Sequence, residues 1–134
     1  MEVVYTLSDS QIRELHALYQ KEWWCAGRSL EDTYKVVAGT TLNIGLIDNG
    51  RLVGYARVLT DTVFKAFIFD VIIAEGYRQK GLGDLILNTI LTHERIVGVN
   101  HVELYCKETL VPYYEKYGFV TDVGPIKLMR RDKK

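Results

Sequence analysis

The run Lys65-Ala66-Phe67-Ile68-Phe69-Asp70-Val71-Ile72-Ile73-Ala74, continued by Glu75-Gly76-Tyr77-Arg78-Gln79-Lys80-Gly81-Leu82-Gly83-Asp84, decides the fold. Its first half is β-branched, aromatic and nearly continuous in apolarity, which predicts a strand from Lys65 to Ala74 covered on both faces. Its second half is rich in glycine and basic residues. Leu85, Ile86, Ile90 and Leu91 then recur at helical spacing and predict a helix from Gly81 to about Ile96. A strand, a loop and a crossing helix in this order point to a mixed α/β layer.

Upstream, Asn49-Gly50 separates the alternating run Leu42 to Ile47 from a return strand, Leu52 to Leu59. Both central residues of a tight hairpin turn need positive φ, and Asn-Gly supplies it. Further back, Ser8 or Asp9 caps a helix through Ile12, Leu15, Leu18 and Tyr19 to about Trp23, and Ser29 with Glu31 and Asp32 starts a second through about Ala38. Downstream, His101 to Cys106 reads as a short strand and Glu108 to Tyr117 as a short helix stopped by Gly118. Phe119 to Val123 and Ile126 to Arg130 read as two final strands, and Arg130 to Lys134 as a solubilising tail. No repeat, linker or low-complexity segment interrupts the 134 residues, so a single domain over 1–134 is expected.

Seventeen basic residues balance seventeen acidic ones, which argues against a general nucleic-acid binder. No apolar stretch approaches the roughly 18 residues needed to span a bilayer, and the N-terminal MEVVYTLSDS lacks the pattern of a signal peptide. Cys25 and Cys106 are far apart in sequence and read as reduced thiols of a cytoplasmic protein. His16, His93 and His101 share no metal-ligand spacing with them, so no metal is expected.

The loop is the chemical signal. Two glycines let the backbone approach a ligand, and the unpaired amides of a helix start favour an anion. Arg78 and Lys80 add positive charge there. Such a segment is either a pyrophosphate cradle or a tight turn with solvated charges. A dinucleotide fingerprint would need glycine at Ile86, and a P-loop would need Lys-Ser/Thr after Gly83, where Asp84-Leu85 stands.

Arg78-x-x-Gly81-x-Gly83 after a strand resembles the Gln/Arg-x-x-Gly-x-Gly/Ala signature of the GNAT superfamily of N-acetyltransferases. Leu110-Val111-Pro112-Tyr113-Tyr114-Glu115-Lys116-Tyr117-Gly118-Phe119 resembles that family's second signature, and the two occur in the family's order. The resemblance implies a GNAT-like α/β fold, a mixed, mostly antiparallel, splayed sheet of about six to seven strands flanked by about four helices. It further implies transfer of an acetyl group from the cosubstrate acetyl-CoA to a primary amine of a small molecule or peptide. The pyrophosphate would lie on Arg78, Gln79, Lys80, Gly81, Leu82, Gly83 and Asp84, and the pantetheine would pair with Val71, Ile72 and Ile73. Lys107 stands where the family often has Asn, and a lysine could reach a CoA phosphate. Neither a nucleic acid nor a membrane is an implied partner; a homodimer stays open.

By the same resemblance Tyr114 is the general acid that protonates the departing thiolate, and a strand amide near Ile72 or Ile73 stabilises the oxyanion. The other reading of Tyr114 is a half-buried aromatic with a wet hydroxyl. Phe67 and Phe69 occupy positions where several relatives carry a base. Asp70 falls on the other side of the strand by alternation and reads as a structural carboxylate bonded to nearby backbone, unless a bulge turns it. Asp61 and Glu103 are weaker candidates for the base. Trp23, Trp24 and Arg28 resemble the family's acceptor-binding region, with one tryptophan covering an amine by cation–π contact or, alternatively, one anchoring the helix to the core and the other covering its edge. Without a visible base, a non-catalytic acyl-CoA sensor is the alternative to an enzyme.

Overall fold

A computed structural model describes residues 1–133. The elements are β1 (Glu2–Val4), α1 (Asp9–Gln20), α2 (Leu30–Gly39), β2 (Leu42–Asp48), β3 (Arg51–Thr60), β4 (Lys65–Ile73), α3 (Leu82–Thr92), β5 (His101–Glu103), a 3-10 turn (Glu108–Leu110) and α4 (Val111–Glu115). They fall into two compact units, Met1–Leu104 and the segment from Tyr105 onward.

The first unit holds a mixed sheet in the order β1-β2-β3-β4-β5. Strands β1 to β4 are antiparallel neighbours, and β5 lies parallel to β4. Asn49 (φ 50) and Gly50 (φ 77) make the two-residue turn, with Asp48 opposite Arg51. The sheet splays where expected: β5 pairs only with Lys65, Ala66 and Phe67, so β4 runs on from Ile68 without it.

Local signals set the helices. Ser8 caps α1 in a reciprocal box with Gln11, the Ser8 hydroxyl accepting at 3.2 Å and the Gln11 side chain accepting the Ser8 amide at 2.9 Å. Ser29 caps α2 by accepting the Asp32 amide at 3.0 Å. Leu7, Leu15, Leu18 and Tyr19 pack with Ile47, Leu52, Tyr55 and Ile72 in one core cluster. Ile86, Leu87 and Ile90 of α3 are fully buried outside that cluster, and α3 packs on β2, β3 and β4. Each such Leu or Ile contributes about 1.5–3 kcal/mol. That outweighs the side-chain cap α3 lacks, worth about 1 kcal/mol, so the helix forms with its first amides uncapped.

Several expectations are corrected. Among the described residues the sheet has five strands instead of six to seven, and β1 was not anticipated. Among the described residues, Phe119 to Val123 and Ile126 to Arg130 form no strand; Val120, Ile126 and Leu128 are exposed. The helix read from Glu108 to Tyr117 is a 3-10 turn followed by the five residues of α4. The first helix ends at Gln20, not Trp23, α3 at Thr92, and β5 at Glu103. Cover on both faces holds for β3, where Leu52 to Ala56 are all buried, but on β4 Phe67 and Phe69 are half-buried. Within the tail, the Arg130 guanidinium lies 5.4 Å over the Tyr105 ring; Lys134 lies outside the described residues.

Candidate functional site

Strand β4 carries one residue too many. Tyr55 pairs with Ile72 and Arg57 with Phe69, so Asp70 and Val71 together face Ala56. This is a bulge, and Asp70 adopts φ 57 within it. Directly paired residues share a face, which puts Phe69 beside Arg57, whose guanidinium lies 4.7 Å over the Phe69 ring. The bulge turns Asp70 to that same side.

There Asp70 meets three donors. Arg28 donates through Nη1 at 2.7 Å and Nη2 at 3.3 Å, Arg57 through Nε at 2.8 Å, and the Tyr19 hydroxyl at 2.9 Å. The carboxylate is structural, as one of the two readings had it, but its partners are side chains and not backbone. Left-handed backbone costs a non-glycine residue roughly 1–2 kcal/mol, while each hydrogen bond to a charged group returns about 1.5–3 kcal/mol, so the clamp holds the strained residue in place. Burial alone raises the Asp70 carboxyl, but hydrogen bonds and charge from Arg28 and Arg57 outweigh it and keep it below the ordinary carboxylate value. Burial and the Asp70 charge push the Tyr19 hydroxyl up, so it stays a donor. The Asp70 carboxylate oxygens are thus already engaged by Arg28, Arg57 and Tyr19.

The other candidate bases are also engaged. The Asp61 carboxylate accepts the amides of Val63, Phe64 and Lys65 at 2.8, 2.7 and 3.1 Å, and these bonds lower its pKa. Glu103 pairs with Lys65 at 2.9 Å. Phe67 and Phe69 stack with centroids 4.7 Å apart.

Beyond the bulge, Val71 and Ile73 are half-buried and Ile72 is buried. The loop to α3 is then shaped by left-handed residues at Gly76 (φ 89), Gln79 (φ 61) and Gly81 (φ 80). Gly81 is the N-cap of α3 and brings no side chain to its amides; a Cβ built there would meet nothing within 4 Å. Leu82, Gly83 and Asp84 form the first turn, which no N-cap side chain covers. Arg78, Gln79 and Lys80 are exposed. Lys80 sits 5.7 Å over the Tyr77 ring, and Tyr77 donates to Asp48 at 2.7 Å. The Arg78 guanidinium is nonetheless engaged: Nε donates to the Ile73 carbonyl at 3.1 Å and Nη2 to Glu22 at 3.0 Å. The arrangement is an open, uncapped, positively polarised helix start, which suits a phosphate.

Trp23 and Trp24 lie past the end of α1, in the turns between Lys21 and Gly27. They are 72% and 40% exposed, both far more open than core tryptophans. Arg28 stacks on Tyr19 at 4.5 Å and on Trp24 at 5.6 Å while it holds Asp70. The structure thus brings Arg28 and Trp24 together with the β4 bulge, a link the sequence does not display.

In the second unit Tyr114 is buried, edge-on to Tyr113 at 5.2 Å and to Phe119 at 6.1 Å. Gly118 (φ 90) lets the chain turn back after α4, which explains why the motif ends in Gly-Phe. Burial pushes the Tyr114 hydroxyl up to about 12, with the nearby Cys106 and Tyr113 adding to the rise. A phenol this weak keeps its proton until a strong base draws it. Lys107 is exposed and caps the 3-10 turn, four residues past the end of β5.

The family described as Acetyltransferase (GNAT) domain matches residues 6–129. The N-acetyltransferase ycf52 of Pyropia yezoensis, described as uncharacterized, is 29% identical over 132 residues, 94% of this chain and 75% of that protein. Across the first relatives this chain spans between 43% and 75% of their lengths. A solved GNAT-family structure from Xanthomonas campestris pv. campestris superposes with a TM-score of 0.83 at 24% identity, covering 99% of this chain and 94% of that one. An aminoglycoside 6′-N-acetyltransferase complexed with coenzyme A reaches a TM-score of 0.67 at 13% identity, over 78% of this chain and 61% of its own.

Proposed function

The chain belongs to the GNAT acetyltransferase family, and on that premise we propose that it moves the acetyl group of acetyl-CoA directly to a primary amine. The observation that carries this reading is the start of α3, where a left-handed Gly81 supplies no side-chain cap and a Cβ placed on it would meet nothing within 4 Å. Gln79, Lys80, Gly81, Leu82, Gly83 and Asp84 hold the pyrophosphate, Lys107 reaches a further phosphate, and Val71 to Ile73 pair with the pantetheine. The coenzyme-A complex among the similar folds supports the choice of cosubstrate.

Catalysis asks two things of this chain. Amides of β4 past the bulge receive the acetyl oxygen as it gains charge. The Tyr114 hydroxyl gives its proton to the departing sulfur and recovers one afterwards. The proton lost by the amine leaves through water, because Asp61, Asp70 and Glu103 are each bound to other groups. Trp24 and Arg28 lie on the acceptor side, with Trp23 beside them. We keep the chain as one domain, since the family match runs through both units. Free thiols at Cys25 and Cys106 suit a reducing, cytoplasmic setting. Among the described residues no helix is long and apolar enough to cross a membrane.

The occupied carboxylates favour a second reading, a non-catalytic acyl-CoA sensor. Turnover separates the two. Free thiol is measured with acetyl-CoA and a panel of polyamines, aryl amines, aminoglycosides, amino acids and peptides. Acceptor-dependent release supports the enzyme; binding of acetyl-CoA without release on any acceptor supports the sensor.

A further inference from the structure

The side-chain clamp on Asp70 joins three distant parts of the first unit. Tyr19 comes from α1, Arg28 from the connection between α1 and α2, and Arg57 from β3. All three donate to a carboxylate whose side chain is only 5% exposed. They meet at the bulge, where β4 departs from its register with β3, and two residues past Ile68, where β4 is already without β5. Past the bulge Ile72 and Ile73 pair with Tyr55 and Gly54, so the strained residue sets the register in which β4 rejoins β3. Nothing in a regular ladder would keep Asp70 at φ 57.

We propose that Asp70 is a positioning residue for acyl transfer: clamped by Arg28, Arg57 and Tyr19, it keeps the β4 bulge formed and so fixes where the Val71 to Ile73 amides point. This rests on the reading that those amides receive the acetyl oxygen. It gives Arg28 a second role. The residue that borders the exposed tryptophans also holds the strand that would orient the acetyl group. Asp70 itself touches neither substrate; it acts through the backbone it holds.

The inference separates two parts of cofactor binding. The loop at α3 supplies the grip on the pyrophosphate and is independent of the clamp. The acetyl oxygen is sensed only past the bulge. Amide spectra of the unaltered protein, Asp70→Asn and Arg28→Gln, each titrated with CoA and with acetyl-CoA, make the test. In the unaltered protein the Val71 to Ile73 amides shift further with acetyl-CoA than with CoA. In Asp70→Asn that difference disappears while the CoA dissociation constant stays within about threefold. Arg28→Gln leaves Arg57 and Tyr19 on the carboxylate and reduces the difference in part, which keeps the test available if Asp70→Asn does not fold. A variant that keeps the full difference, or one that loses CoA and acetyl-CoA affinity in equal measure, overturns the positioning role. An unaltered protein that binds neither molecule overturns the cofactor reading itself, a separate and distinguishable result.

Discussion

Arg78, the first residue of the glycine motif, donates to Glu22 at 3.0 Å and so ties the loop before α3 to the turns after α1. Its second bond, to the Ile73 carbonyl at 3.1 Å, fastens the loop to the end of β4. Arg78 thus shapes the cradle, and the anion attraction comes mainly from the α3 amides and Lys80. Glu22→Gln releases the Arg78 charge. The expected result is a stability change of about 1 kcal/mol, since Arg78 is exposed and Glu22 half-buried, with acetyl-CoA bound somewhat tighter at low salt. Calorimetry at two salt concentrations checks both.

Gly83 lies in the first turn of α3, where a ligand phosphate would approach the backbone. Gly83→Val is expected to change folding stability by less than about 1 kcal/mol, since Val is no worse than Gly in a helix. The same substitution is expected to weaken CoA binding by at least about tenfold, or roughly 1.4 kcal/mol. Thermal unfolding and CoA titration of one sample give the two numbers. Affinity within a factor of about two of the unaltered protein would remove the pyrophosphate from this turn.

Asp70 makes stability depend on acid. Its carboxyl is held below the ordinary value in the folded chain, so the stabilisation it provides is fully present above the unfolded carboxylate pKa of about 3.9. It is lost as the pH falls below that point and through the folded pKa. Urea unfolding between neutral pH and about pH 3 should therefore show a steep acid limb. In Asp70→Asn the limb flattens, and the neutral-pH stability falls because Arg28 and Arg57 lose their partner.

Tyr114→Phe keeps the ring that packs on Tyr113 and Phe119 and removes only the hydroxyl. The fold and acetyl-CoA affinity should barely change, while the transfer rate falls by on the order of a hundredfold, about 3 kcal/mol of barrier. Tyr113→Phe and Tyr117→Phe are the controls. With the Tyr114 hydroxyl pushed up to about 12, its ionisation should not shape the rate profile below about pH 10. A donor with a more acidic leaving thiol should shrink the Tyr114→Phe defect, because such a thiolate needs less protonation.

The hairpin at Asn49-Gly50 and the loop into α3 were legible because each depends on a few residues with unusual backbone freedom, and the structure shows positive φ at Asn49, Gly50 and Gly81. The bulge was not. Alternation fixes a side chain's face only while the register is regular, and one inserted residue moved Asp70 to the side of Phe69. Its partners, Tyr19 and Arg28, lie 51 and 42 residues away in sequence, beyond any local pattern. The residues from Phe119 to Arg130 teach the converse. Their composition suits strands, but a strand exists only with a ladder partner, and none is formed there among the described residues. Strand β1, with three residues, is too short for alternation to register.

The central claim is that the uncapped start of α3 holds the pyrophosphate of acetyl-CoA, and calorimetric titration of the unaltered protein tests it most directly. The account predicts saturable one-to-one binding with a dissociation constant well below about 1 mM, retained by CoA and not matched by ATP or NAD. No heat of binding at millimolar acetyl-CoA in well-folded protein, or displacement of CoA by ATP or NAD at lower concentration, would contradict it.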